Sequence, residues 1–86
     1  MEIWYCPVCG YGPFDEPYMS VEELRESYDI CPCCGCEYGY DDNPHSFKAW
    51  RGRGARWFSP SAMPNNWQLE EQLKHHIESW PYYNHP

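Results

Sequence analysis

Basic side chains are scarce. The 86 residues carry six Lys and Arg against 13 Asp and Glu, for a formal charge of −7. Tight general binding to nucleic acid draws largely on cations placed against phosphates, so this balance argues against it. It disfavours an anionic membrane surface for the same reason, and suits a basic partner surface. Long apolar runs are also missing, and Met1-Glu2-Ile3-Trp4-Tyr5-Cys6 contains no basic stretch. The expectation is therefore no signal peptide, no membrane span and a cytoplasmic, reducing setting. No Gly/Ser-rich linker divides the chain, so residues 1–86 read as one domain. No histidine or carboxylate pair is placed like a catalytic base, so the chain does not read as an enzyme.

What is present is concentrated. All six cysteines lie at or before Cys36, and four of the five tryptophans lie after it. Two segments share one pattern: Cys6-Pro7-Val8-Cys9-Gly10 and Cys31-Pro32-Cys33-Cys34-Gly35. Two cysteines separated by two residues can aim their sulfurs at one centre, and the glycine lets the backbone turn back. Two such knuckles make a four-thiolate tetrahedral site for zinc or iron. In a reducing compartment, this spacing reads as metal binding rather than a disulfide frame. The expected ligands are Cys6, Cys9, Cys31 and Cys34. The ion is Zn²⁺, with Fe as the alternative. A chain of this length also benefits from a staple, because small domains bury little surface.

Cys33 and Cys36 form a second, overlapping C-x-x-C. They read as buried bystanders, as a redox pair, or as part of a second metal site with His45 or a histidine of the last helix. His75 and His76 are helix neighbours and cannot both face one point. Asp41 and Asp42 precede a helix start, where they favour the positive end of its dipole. Arg51, Arg53 and Arg56 are expected to lay their stems over aromatic residues and pair with acids.

The predicted organisation has two parts. Residues 1–40 form a metal-binding ribbon, with strands at Ile3–Tyr5, Tyr28–Ile30 and Tyr38–Tyr40. Ser20 and Glu23 form a capping box that starts a helix over Val21–Ser27, with Glu22 and Arg25 paired on its surface. Residues 41–86 form an aromatic helical extension packed on the ribbon. Asn43-Pro44 starts a helix to about Arg51, which Gly52 and Gly54 end. Trp57-Phe58 reads as a short strand or anchor, and Ser59–Pro64 as an extended loop. Asn65 or Asn66 caps a last helix to about Ser79, with Leu69, Leu73, Ile77 and Trp80 in one stripe. Pro81 stops it, and a loose tail follows. The fold class is small α+β.

Tyr5-Cys6-Pro7-Val8-Cys9-Gly10-Tyr11, Glu16-Pro17 and the run from Ser27 to Asp42 carry a likeness to a known group. Together with the Trp50–Trp57 stretch and Trp67 ahead of Gln72-Leu73, they resemble the small bacterial cysteine-rich CPCC proteins, named for the segment seen here as Cys31 to Cys34. That resemblance implies a zinc-ribbon-like metal site and assigns no catalytic residue. A weaker resemblance is to rubredoxin, the one-iron electron carrier, through the paired knuckles, Trp4, Tyr5, Tyr11 and the acidic charge. Here the connector between knuckles is shorter, and Cys33, Cys36 and the aromatic half have no counterpart. The combined reading is a non-catalytic metal-binding module that contacts an unidentified protein partner. Rubredoxin-like electron transfer is the alternative.

Overall fold

Polar side chains fix the first two helix starts. Ser20 is extended and its Oγ accepts from Glu23 N at 3.0 Å, which opens α1, Val21–Ser27. The Glu23 carboxylate reaches back to the Met19 N–H, one residue earlier than a standard capping box. Leu24 is the buried side chain of α1, and Tyr28 ends the helix in the left-handed region at φ 54°. Asn43 caps α2, Pro44–Gly52, by accepting from Ser46 N at 3.0 Å, and Pro44 supplies a preset φ at the first turn. Trp50 is its fully buried residue, and its indole N–H donates to Arg56 O. The computed structural model describes residues 2–78 and Trp80. The expected stop at Pro81 and the tail beyond it lie outside those residues.

Three expectations need correction. No strand forms among the described residues. The pairing is two isolated antiparallel bridges, Ile3 with Tyr18 and Ile30 with Glu37. Each knuckle needs only one bridge at its base to hold its ends together, so the ribbon strands shrink to single contacts. The predicted loop over Ser59–Pro64 contains a 3-10 turn, Pro60–Ala62. The last helix, α3, covers only Leu69–Leu73, and Gln68 rather than Asn65 or Asn66 stands at its cap without a side-chain bond. Its apolar stripe is real: Leu69, Leu73 and Ile77 are partly buried and Trp80 is buried. Past Leu73 the N–H groups of Lys74, His75 and His76 donate to carbonyls three residues back, and Ile77 N–H then leaves the ladder for Pro7 O at 2.9 Å.

All six cysteines sit in the core with Val8, Leu24, Tyr38, Trp50 and Trp80. A run of ring contacts crosses the molecule from Trp67 to Trp57, Tyr11, Phe14, Tyr18 and Tyr38, with neighbouring centroids 5.5–6.2 Å apart. Three of these side chains precede the second knuckle and three follow it, so the run joins both halves. Asp42 is 1% exposed and gathers three donors: Arg25 at 3.2 Å, Gly39 N at 3.0 Å and Trp80 Nε1 at 2.9 Å. Its role is thus a buried junction between α1, the turn at Gly39 and Trp80, not a dipole partner. This also corrects Arg25, which turns to Asp42 rather than to Glu22. No helix among the described residues is long and apolar enough to cross a membrane.

Candidate metal centre

The two knuckles have the same backbone. In the first, Cys6 N donates to Tyr11 O and Gly10 N to Cys6 O, each at 2.7 Å. In the second, Cys31 N donates to Cys36 O and Gly35 N to Cys31 O, each at 2.9 Å. Gly10 and Gly35 stand at φ +88° and +80°, a region that residues with a Cβ adopt only at a cost. These bonds close a tight turn that presents both sulfurs of each knuckle on one side.

The four sulfurs of Cys6, Cys9, Cys31 and Cys34 all lie within 4.8 Å of one another and are buried. Cys6 and Cys34 are 4.0 Å apart, and Cys9 and Cys31 are 3.7 Å apart. A tetrahedron with metal–sulfur arms of about 2.3 Å has edges of about 3.8 Å. The cluster therefore fits a four-thiolate ion without rearrangement of the backbone. The sequence-predicted ligands converge, and the group is positioned to bind a metal.

The electrostatics point the same way. Burial raises the Cys6 thiol, but hydrogen bonding to Cys31, Cys34, Cys36 and Cys9 outweighs it and holds the group well below the ordinary thiol range. Cys34 is drawn down to about 6, first by Cys31 and then by Cys36. Cys9 is pushed up, chiefly by its hydrogen bond to Cys31, and Cys31 is pushed up by burial. Without a cation, part of the cluster thus holds its protons so that the rest can be charged. Two unit charges about 4 Å apart repel by about 4 kcal/mol at an effective dielectric of about 20. A divalent ion held by these four sulfurs would remove that conflict and release the remaining protons.

The outward-facing carbonyls of the knuckles are capped one by one. On the first, Pro7 O accepts from Ile77 N, Val8 O pairs with His76 Nδ1 and Cys9 O accepts from Gln72 Nε2. On the second, the equivalent Pro32, Cys33 and Cys34 carbonyls accept from Ser59 N, Phe58 N and Arg53 Nη2. The sequence gives no sign of Gln72 as a structural residue, yet it is 8% exposed and also binds Cys33 Sγ and Trp67 Nε1. Trp57-Phe58 is the expected anchor, acting through backbone and not as a strand.

The remaining candidates separate. Cys33 and Cys36 are buried free thiols outside the four-sulfur group. His45 is exposed, and no second group of metal-ligating residues forms with it or with the last segment among the described residues. His75 stacks on Tyr5 at 3.6 Å and His76 on Phe47 at 3.9 Å. Asp41 accepts from Glu37 N, which tightens the exit from the second knuckle. The Arg51 guanidinium lies over the Phe47 ring, 5.9 Å from its centroid, so the contact with an aromatic residue is made by the charged head. None of Arg51, Arg53 and Arg56 makes an ion pair with a described acid, contrary to that part of the expectation. The Tyr38 hydroxyl is buried without a hydrogen-bond partner. Burial, and charge on Cys6 and Cys31, push it far above the usual phenol range.

No protein-family model matches the chain, and no solved structure matches it. Two curated proteins of Bacillus subtilis (strain 168) do. One, described as "Uncharacterized protein YozI", is 40% identical over 43 residues, covering 49% of this chain and 36% of the relative. The other, "Uncharacterized protein YoaQ", is 40% identical over 42 residues with the same two shares. The matched region is thus about a third of the length of these relatives.

Proposed function

We propose that this chain is a small zinc protein whose Cys6, Cys9, Cys31 and Cys34 site is structural, and that it acts by binding another protein rather than by catalysis. The observation that carries this reading is the convergence of four buried sulfurs at tetrahedral spacing. When bound, the ion would fill all four positions with protein sulfur, leaving none for a water to be activated. Metal binding would supply on the order of 10 kcal/mol of apparent stability, comparable with the whole net stability of a small domain. Six free thiols support a reducing, cytoplasmic setting. Exposed Tyr28, Ile30 and Tyr40 and the net charge of −7 support a partner with a basic and partly apolar surface. The core is read as a pair of rubredoxin-like or zinc-ribbon knuckles, and the likeness to the CPCC proteins belongs to the same proposal.

One-iron electron transfer is the second reading. It is favoured by the sulfur spacing, which fits iron as well as zinc, and by the run of rings that ends at Tyr38 beside the cluster. Elemental analysis and native mass of the purified full chain separate the readings. One zinc per chain in a colourless sample is the expected result. A red sample that bleaches on reduction would replace it with the iron reading. Metal-free protein that keeps its native fold, or sulfurs found bonded to one another, would sink both.

A further inference from the structure

A cavity of about 520 Å³ opens between α2 and residues 73–78, with no cysteine in its lining. That volume lies in the range of about 300–1,000 Å³ that holds small ligands. Its walls are mixed. Phe47 and Leu73 supply apolar surface, and His76 stacks on Phe47 at 3.9 Å. Lys48 and Arg51 supply charge, three residues apart and so on one face of α2. Cations are few in this chain, and most acids outnumber them, yet these two have no acid of their own. Arg25 meets Asp42 and Lys74 meets Glu71, whereas neither Lys48 nor Arg51 makes an ion pair among the described residues. Arg51 stands in the last turn of α2, where a cation suits the helix dipole, but Lys48 stands in mid-helix. Like charges at this spacing repel, so the pair costs the helix a little stability. Glu78 also lines the cavity and pairs with neither cation. With the imidazole neutral, the walls thus carry two positive charges and one negative.

We infer that this cavity binds a small organic monoanion, a carboxylate carried on an apolar body. The carboxylate meets the Lys48 ammonium and the Arg51 guanidinium, whose planar fork matches two carboxylate oxygens. The Arg51 head is already held at the wall, 5.9 Å from the centroid of the Phe47 ring. The apolar body covers Phe47 and Leu73, which are half-buried at the cavity. Charge selects the class. A neutral ligand leaves both cations without a partner, and a dianion meets the Glu78 carboxylate. The site is separate from the four sulfurs and stands whether they hold zinc or iron.

The test titrates phenylacetate and its neutral isostere phenylacetamide into the purified full chain, followed by amide shifts in an NMR spectrum. Phenylacetate is expected to give saturable shifts at Phe47, Lys48, Arg51 and Leu73 at millimolar concentration, and the amide to bind at least tenfold more weakly. Lys48→Met/Arg51→Met keeps both stems and should lose at least tenfold in affinity, with dispersed signals showing that the fold is intact. Glu78→Gln removes the opposing charge and should tighten binding several-fold. Added salt should weaken phenylacetate and leave the amide unchanged. The inference is overturned if acid and amide bind alike, if the double variant binds as wild type does, or if no saturable shift appears at these residues. Tighter binding of phenyl phosphate than of phenylacetate would overturn the choice of a monoanion.

Discussion

The two knuckles share a backbone and differ in what covers them. Each makes the same pair of internal bonds and offers three carbonyls outward. The first is capped from one short segment, residues 72–77, by a buried amide, an imidazole and one backbone N–H. The second is capped from residues 53–59 by two backbone N–H groups and one exposed guanidinium. A buried carbonyl left without a donor costs about 1–3 kcal/mol, so the aromatic half acts as a set of donors for the half that carries the two knuckles. The difference teaches that the repeated motif specifies the turn alone. The covering contacts are supplied from elsewhere, and they make the first knuckle the rigid one.

The largest effect should come from breaking what the knuckles share. Removing the metal with a chelator, or replacing a ligand of the rigid knuckle by Cys9→Ser, is expected to unfold the chain at 25 °C. Circular dichroism and dispersed amide signals in an NMR spectrum check this. Retention of native signals by the stripped protein would mean that packing alone holds the fold. The same chemistry fixes the pH dependence. Bound thiolates have depressed pKa values, so their contribution is present at high pH and is lost as acid protonates the sulfurs. In the cluster itself Cys34 is already drawn below the ordinary thiol range, first by Cys31 and then by Cys36, so its contribution is present at high pH and is lost as the pH falls.

Next come the two glycines, where the knuckles part company. A Cβ on Gly10 would lie 2.1 Å from the backbone oxygen of Gln72, whereas one on Gly35 would lie 2.9 Å from the Phe58 ring. Both substitutions pay about 1–2 kcal/mol for the left-handed backbone. Only Gly10→Ala must also push α3 away from the knuckle. It should therefore be destabilised by about 2 kcal/mol more than Gly35→Ala, since an exposed ring can move aside and backbone cannot. Equal losses in a denaturant titration would show that the covering of the two knuckles is equally stiff.

Gln72→Leu and Arg53→Met compare the donors themselves. The leucine removes the bonds to Cys9 O, Cys33 Sγ and Trp67 Nε1 in a buried place, and should cost about 2–3 kcal/mol. The methionine exposes Cys34 O to water that can replace the lost donor, and should cost under about 1 kcal/mol. Thermal melts of the zinc-loaded variants check the ranking. A larger loss at Arg53 would reverse the assignment of the first knuckle as the rigid one.

These differences explain what the sequence could reveal. The C-P-x-C-G segments, Ser20 with Glu23 and Asn43-Pro44 are local devices, and each forms where its pattern places it. The convergence of Cys6, Cys9, Cys31 and Cys34 was legible because its geometry is built into four-residue spacings. The covering was not, because it depends on contacts between residues far apart in the chain. The stripe Leu69, Leu73, Ile77 and Trp80 has helical spacing, yet the α-helix ends at Leu73, the next three N–H groups bond three residues back, and Ile77 N bonds Pro7 O across the molecule. Asp42 looks like a helix-start acid until Arg25 and Trp80 are brought to it. Gln72 enters the sequence reading only beside Trp67 in the family resemblance, and its bonds to Cys9 O, Cys33 Sγ and Trp67 Nε1 are revealed by the tertiary structure.

The smallest effect concerns the link between the two knuckle entrances. Tyr18 bridges Ile3 through the backbone, and its hydroxyl donates to the Asp29 carboxylate just ahead of the second knuckle. Burial first, then this bond, pushes the phenol up to about 12 from an ordinary value of 10.0. The folded value lies above the unfolded one, so the neutral hydroxyl stabilises the fold fully below pH 10 and that contribution is lost as the pH rises through about 12. Tyr18→Phe should abolish one late-titrating phenolate in the absorbance near 295 nm. It should also flatten the fall in melting temperature over that alkaline range. An unchanged titration curve would mean that the two entrances are not tied by this bond, and that the knuckles communicate only through the metal and its four sulfurs.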